Sequence, residues 1–195
     1  MAALVEAHER SWRFWERVYT VRPEWSLVER ELRAAGLPDV LAALPYQATR
    51  YDRDLGFEDC SAGAWALPLT TPGLEIRHCH LRGTTRTWSS GDAPPMDAGV
   101  CMVERCAVDE RLDLGAATRV ASKALAATWE ATGHDAFLTL AAHATGPPEA
   151  VVAQYLLARC AYTDPAGCAF GRAPLEVEVR TFFADRAASR SAAPH

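Results

Sequence analysis

The chain has 195 residues, of which 49% are hydrophobic and 23% charged, and its net charge at pH 7 is −5. This length and composition suit one globular domain with a sizeable core. A negative charge without a basic block argues against general binding to nucleic-acid phosphates, and no apolar run approaches the roughly 20 residues that a membrane helix needs. We therefore expect a small-molecule ligand rather than a nucleic acid or a membrane.

The first 45 residues predict a helical hairpin. Residues 3–19 have the spacing of an amphipathic helix, and a second helix begins at Arg22 and ends at Gly36, which tolerates the left-handed turn that terminates helices. A short third helix is expected to stop before Pro45. The apolar sides of the first two helices carry Trp12, Trp15, Tyr19, Trp25, Val28 and Leu32. The aromatic members of this stripe either pack into the core, floor a pocket for a flat ligand or form a homodimer contact.

The middle and the end of the chain predict strands. Five segments have the alternation or the β-rich composition of strands: 65–70, 74–81, 84–88, 100–104 and 175–183. The first of these is expected at a sheet edge because Pro68 interrupts it. The acidic stretch before it, residues 46–60, is expected to be a loop.

Two longer helices and one ambiguous segment lie between the last two of these strands. Asp113 is a good N-cap for a helix that ends at Gly133, with Leu114, Ala117, Ala121 and Leu125 on its inner side. Residues 135–143 are either a short helix capped by Asp135 or a buried strand. Pro147 and Pro148 predict the start of a helix over 149–159.

Together these patterns predict an α+β domain over residues 1–186. We expect a four- to five-stranded, mostly antiparallel sheet with the two central helices on one face. The helical hairpin of residues 1–45 packs at one end of the domain or mediates a dimer. Residues 46–186 form the sheet and the other helices, and residues 187–195 form a flexible tail.

Six cysteines occur, at positions 60, 79, 101, 106, 160 and 168. Their spacing is neither dense nor regular, and the N-terminus lacks the pattern of an export signal, so we expect reduced thiols and a cytoplasmic protein. A single lysine against nineteen arginines, with abundant alanine, is typical of a GC-rich bacterial genome.

The most specific chemical feature is the pair His78 and His80 on the predicted strand 74–81. Side chains two residues apart on a strand point to the same face, so both imidazoles would reach one zinc or iron ion. A further ligand would come from Cys101, Glu104, Asp97 or His143. The alternative is an ordinary pair, with one imidazole exposed and the other half-buried.

Cys60 is a second candidate. Asp59-Cys60-Ser61 would place the thiol at the N-terminus of a short helix, where its pKa falls and backbone amides can stabilise an oxyanion. Such a nucleophile needs a base, and His78, His80 or His143 would have to lie beside it. Buried, inert thiols are the alternative for the other cysteines.

These patterns suggest three functions. The first is a small enzyme acting on a polar organic metabolite, in which His78, His80 and His143 serve as acid/base groups, or in which His78, His80 and Cys101 hold a metal. The second is a thiol enzyme that uses Cys60. The third is a non-catalytic binding or scaffold protein that uses the tryptophan-rich hairpin, with a homodimer as one form.

Overall fold

The structure, a computed structural model, describes residues 12–57, 59–82, 87–92 and 103–163, and it describes side chains of the first helix from residue 16 onward. The strand predicted at 175–183 and the predicted tail lie outside these residues. The chain forms two compact units, one of Met1–Arg22 with Gly146–His195 and the other of Pro23–Thr145.

The described residues form an α+β protein with six α-helices, one short 3-10 helix and two small antiparallel sheets. The helices are α1 (Trp12–Thr20), α2 (Arg22–Ala34), the 3-10 helix (Asp39–Ala42), α3 (Ala43–Thr49), α4 (Leu114–Ala131), α5 (Ala136–His143) and α6 (Pro148–Thr163). The strands are β1 (Ile76–Arg77), β2 (Cys79–Leu81), β3 (Thr87–Trp88), β4 (Val103–Arg105) and β5 (Val108–Asp109). The α+β class is confirmed, whereas a single four- to five-stranded sheet is wrong.

In the first unit, α1 packs on α6. The phenol of Tyr162 donates to the carbonyl oxygen of the buried Val18 at 2.6 Å. Arg22 donates to the carbonyl oxygen of Tyr162 at 3.1 Å, and its guanidinium lies over the Tyr162 ring. The helix predicted at 149–159 is confirmed and runs on to Thr163.

In the second unit, α2 buries the inner side that its sequence predicts, with Trp25, Val28 and Leu32 inaccessible to solvent. The helix ends at Ala34 and is followed by Gly36, which has a φ of +73°, and the amide of Leu37 donates back to the carbonyl of Leu32 at 2.9 Å. These contacts confirm the predicted second helix and its end.

The prediction that the third helix stops before Pro45 is wrong, because the 3-10 helix runs directly into α3. Pro45 is the third residue of α3. The first turn of a helix has no intrahelical acceptors for its amides, so a proline there sacrifices no hydrogen bond. The helix ends at Arg50, which adopts the left-handed conformation.

The strand predicted over 74–81 is broken at His78. This residue has a φ of +50°, in the left-handed region, and it separates β1 from β2. Ile76 is buried before the break, and Cys79 and Leu81 are buried after it, so the alternation slips by one residue. The two pieces join different sheets: β1 pairs with β5, and β2 lies between β3 and β4.

Other predicted strands are partly confirmed. β3 falls within 84–88, and β4 overlaps 100–104, although residues 83–86 and 93–102 are outside the described part. The edge strand predicted at 65–70 is wrong. This segment is a series of turns with one isolated bridge between Ala62 and Leu67, since Pro68 cannot donate to a ladder.

Asp113 and Asp135 cap their helices as predicted. The Asp113 carboxylate accepts from the amide of Ala116 at 2.7 Å, and that of Asp135 accepts from the amides of Phe137 and Leu138. Residues 136–143 are therefore helical, which decides between the two alternatives for that segment.

A buried ion pair joins the loop of residues 60–67 to the start of α4. Arg111 is fully buried, and its guanidinium donates to both carboxylate oxygens of Asp109, at 2.8 and 2.6 Å. The same guanidinium donates to the carbonyl oxygens of Cys60, at 2.5 Å, and Leu67, at 3.4 Å. The charge is thus neutralised by a bidentate partner, and each of the three guanidinium nitrogens has an acceptor.

Close backbone packing surrounds this pair. Gly63 has a φ of +77°, and a Cβ atom at that position would overlap the carbonyl oxygen of Arg111.

We therefore predict that Gly63→Ala lowers the free energy of unfolding by about 3 kcal/mol or more, because it adds a steric clash to an unfavourable φ. Gly36→Ala is the matched control, since its φ is +73° with no atom within 4 Å. It should cost only about 1 kcal/mol in urea denaturation, and equal costs would contradict the close packing.

Arg111→Met is expected to destabilise the protein by about 3–5 kcal/mol, because it leaves the largely buried Asp109 carboxylate without a cation. Urea denaturation without reductant measures this loss. Arg119→Met is the control: Arg119 is exposed and its guanidinium lies 3.9 Å from Glu31, so the change should stay within about 0.5 kcal/mol. A similar loss for both variants would show that the burial of Arg111 contributes nothing special.

Candidate functional site

The structure breaks the strand that was predicted to hold His78 and His80 on one face. His78 is exposed and His80 is half-buried, and the left-handed residue at 78 removes the uninterrupted strand on which the shared face was predicted. Among the described residues, neither histidine belongs to a group of three side chains that could hold a metal ion. The backbone amide of His78 donates to Ser89 Oγ at 3.0 Å, which ties the kink to the turn after β3.

Two of the four further ligands proposed for that metal lie within the described residues. Cys101 and Asp97 lie outside the described residues, so their place in a site stays a prediction. Glu104 lies on β4 and is exposed. His143 is the last residue of α5.

The expectation of reduced thiols is not met. Cys79 and Cys106 form a disulfide between β2 and the residue that follows β4. The sulfurs of Cys60 and Cys160 are also in disulfides, and the described part of the chain contains no free thiol. The spacing of the cysteines in the sequence did not predict the Cys79–Cys106 bond. These two residues are 27 apart in the sequence and meet only through the pairing of β2 with β4.

Cys60 lies in a tight turn rather than at a helix N-terminus. It is buried, has a φ of +64°, and is followed by turns instead of the predicted helix. Hydrogen bonds from the hydroxyl and the amide of Ser61 lower the pKa of the Asp59 carboxyl. While its sulfur is in a disulfide, Cys60 has no thiolate with which to attack a substrate.

His143 is the predicted site residue that lines a cavity. An open cleft of about 150 Å³ lies between α3, the turn at Trp65, α4 and α5. Its lining is almost entirely apolar: Leu44, Pro45, Ala48, Trp65, Leu67, Ala121, Ala124, Leu125 and His143. Small-molecule sites are mostly apolar hollows with a few polar groups, and a titratable group with a shifted pKa in a cleft marks a candidate site.

Small residues of α4 form one side of the cleft, and Trp65 forms another. The small residues Ala121 and Ala124 leave room beside the helix, and the indole of Trp65 donates to Thr118 Oγ1 on the same helix at 2.9 Å. Thr118 is fully buried and donates in turn to the carbonyl of Leu114 at 2.6 Å. Trp65 is therefore held as a rigid wall of the cleft.

The imidazole of His143 is held at the rim. Its Nε2 lies 2.8 Å from Thr128 Oγ1 on α4. The residue as a whole is exposed, but part of the ring is shielded from water, and this burial lowers the pKa of His143. A lowered pKa favours the neutral ring at neutral pH, which can both donate and accept a hydrogen bond.

A second cavity, of about 420 Å³, lies between the turn of residues 69–74 and residues 88–92. Two of its polar side chains, Ser90 and Asp92, make hydrogen bonds within the protein. The Asp92 carboxylate accepts from the amide of Ser89, and Ser90 Oγ bonds both the amide and the carbonyl of Ile76.

No match is found when the chain is compared with protein-family models, with curated proteins and with solved structures. None of the helices within the described ranges has the length and apolar character needed to cross a membrane. Function is therefore inferred from the side chains themselves.

The pKa of His143 predicts a pH-dependent stability. The unfolded residue binds a proton near pH 6.5, whereas the folded residue binds one only at lower pH. Unfolding therefore takes up a proton in that window, and the free energy of unfolding contributed by His143 falls as the pH drops below about 6.5 and levels off below the folded pKa.

His143→Gln should flatten this part of the pH profile when urea denaturation is measured from about pH 7.5 to about pH 5. The glutamine side chain keeps a polar group near Thr128 without a titrating ring. An imidazole NMR titration of the wild type checks the cause directly. A His143 pKa at or above the ordinary value would contradict the burial of the ring.

Proposed function

We propose that the protein binds a small organic molecule in the His143 cleft. The single observation that carries this proposal is the combination of an apolar lining with one imidazole whose pKa is lowered. Apolar walls supply affinity through burial, and a single polar group fixes orientation.

The size and lining of the cleft limit the ligand. Ligand pockets for drug-sized molecules are about 300–1,000 Å³, whereas this cleft has about 150 Å³. Apolar cavities near that volume accept molecules of about the size of benzene. The ligand class we propose is therefore a compact, mainly apolar or aromatic molecule with one hydroxyl or carbonyl group, in place of the polar organic metabolite of the first hypothesis.

His143 would recognise the polar end of this ligand. A neutral imidazole bonded to Thr128 through Nε2 keeps its other ring nitrogen for a ligand. One such hydrogen bond contributes about 1 kcal/mol, so His143→Ala is expected to weaken binding about fivefold.

Catalysis at the same cleft is a second candidate, favoured by the lowered pKa of His143. A neutral imidazole near an apolar ligand is suited to general acid/base work. An enzyme needs more groups at the reacting atoms, and of the described side chains only Thr128 joins His143 here. The Cys60 nucleophile, the homodimer and the scaffold role of the Trp12 and Trp15 hairpin stay predictions.

Binding is tested with benzyl alcohol, a probe that has a benzene-sized body and one hydroxyl group. NMR should show saturable shifts of the Trp65 indole and the His143 imidazole in the wild type. Ala124→Leu fills the cleft from its open side and should abolish both shifts. Ala127→Leu, at an exposed position of the same helix outside the lining, should leave both unchanged.

Three outcomes would contradict the proposal. The probe could shift neither resonance, it could shift them without saturation, or it could act equally on Ala124→Leu and the wild type. Normal binding by His143→Ala would keep the cleft as a site but remove the role of the imidazole.

A further inference from the structure

Three side chains able to bind a metal converge beside Arg111. The sulfur atoms of Cys79 and Cys106 and a carboxylate oxygen of Asp109 all lie within 4.8 Å of one another. In the disulfide, the two sulfurs are bonded to each other and have no charge to offer a cation. We propose that reduction of this disulfide creates a zinc site from the two thiolates and the Asp109 carboxylate.

The backbone positions these donors in the way that zinc sites require. Cys106 and Asp109 have the two-residue separation found in zinc knuckles, with the carboxylate in place of a second cysteine. Cys106 Sγ already lies 3.6 Å from Asp109 Oδ2, although a disulfide sulfur has no proton to donate. The third donor, Cys79, lies on β2, and the pairing of β2 with β4 holds it near Cys106.

The charges balance with the metal in place. Two thiolates and one carboxylate carry three negative charges, and Zn²⁺ with the Arg111 guanidinium carries three positive charges. The oxidised form is neutral as well, because Asp109 and Arg111 cancel each other. A largely buried site can therefore exchange a disulfide for a bound dication without leaving a net charge.

Arg111 would remain as the outer partner of the ligating carboxylate. Its Nη2 donates to Asp109 Oδ2 at 2.6 Å, which fixes the orientation of that oxygen. Thiolate donors favour zinc over magnesium or calcium. Three protein donors leave a fourth tetrahedral position for water or an added ligand.

The conversion is a two-electron reduction followed by proton release. An external dithiol transfers two electrons and two protons to the sulfur–sulfur bond, giving two thiols while it becomes a cyclic disulfide. Zn²⁺ then replaces both thiol protons, which pass to solvent. This inference stands on the Cys79, Cys106 and Asp109 geometry alone and does not depend on the proposed function of the His143 cleft.

The test uses the full chain, reduced with dithiothreitol, freed of reductant without oxygen, and titrated with Co²⁺ as the spectroscopic substitute for Zn²⁺. Reduced wild type should show a thiolate-to-cobalt charge-transfer band at one equivalent, and Zn²⁺ should displace it with release of two protons. Oxidised wild type should show no band.

Cys106→Ser should weaken Co²⁺ binding about a hundredfold or more, and Asp109→Asn about tenfold or more. Cys160→Ser is the matched control: it removes another disulfide-bonded cysteine and should keep the band. Circular dichroism checks the fold of every sample. Loss of the fold on reduction, absence of a band in reduced wild type, or an equal band in Cys106→Ser would overturn the proposal.

Discussion

The buried guanidinium of Arg111 is the interaction on which the second unit depends. It holds Asp109 at the end of β5, and it reaches across 51 residues to the carbonyl of Cys60. An ionised group without water is stable only when every donor has an acceptor. The loop of residues 60–67, the end of the two-stranded sheet and the start of α4 must therefore be in place together for this charge to be accommodated. The absence of a side chain at Gly63 lets that loop approach closely enough.

Local chemistry made the helices predictable. Asp113 and Asp135 cap helices through atoms two or three residues away, and the inner side of α2 repeats with helical spacing, so neighbouring residues contain the information. The sheets were less predictable because their strands have only two or three residues each and their partners are distant in sequence. β5 was missed altogether, since two residues cannot show alternation.

The candidate site was predicted only in part, for a similar reason. His143 was identified from the sequence as a candidate acid/base group. The sequence did not show which elements surround the cleft, because the residues that line it extend from position 44 to position 143. The pairing of Cys79 with Cys106 and the burial of Arg111 likewise depend on tertiary contacts. The residues just before Asp113 are polar, and nothing in their sequence indicates that the charged side chain of Arg111 will be buried.

The left-handed backbone at residue 78 limits which residues can replace His78 in evolution. What the fold requires there is a residue that accepts a positive φ, not an imidazole. Glycine and asparagine satisfy that requirement, whereas valine or isoleucine, which favour extended backbone, would straighten the ribbon and turn the cysteine away from its partner. Two histidines flanking a cysteine thus look like a chemical signature, but the selective pressure on the first of them would come from backbone geometry.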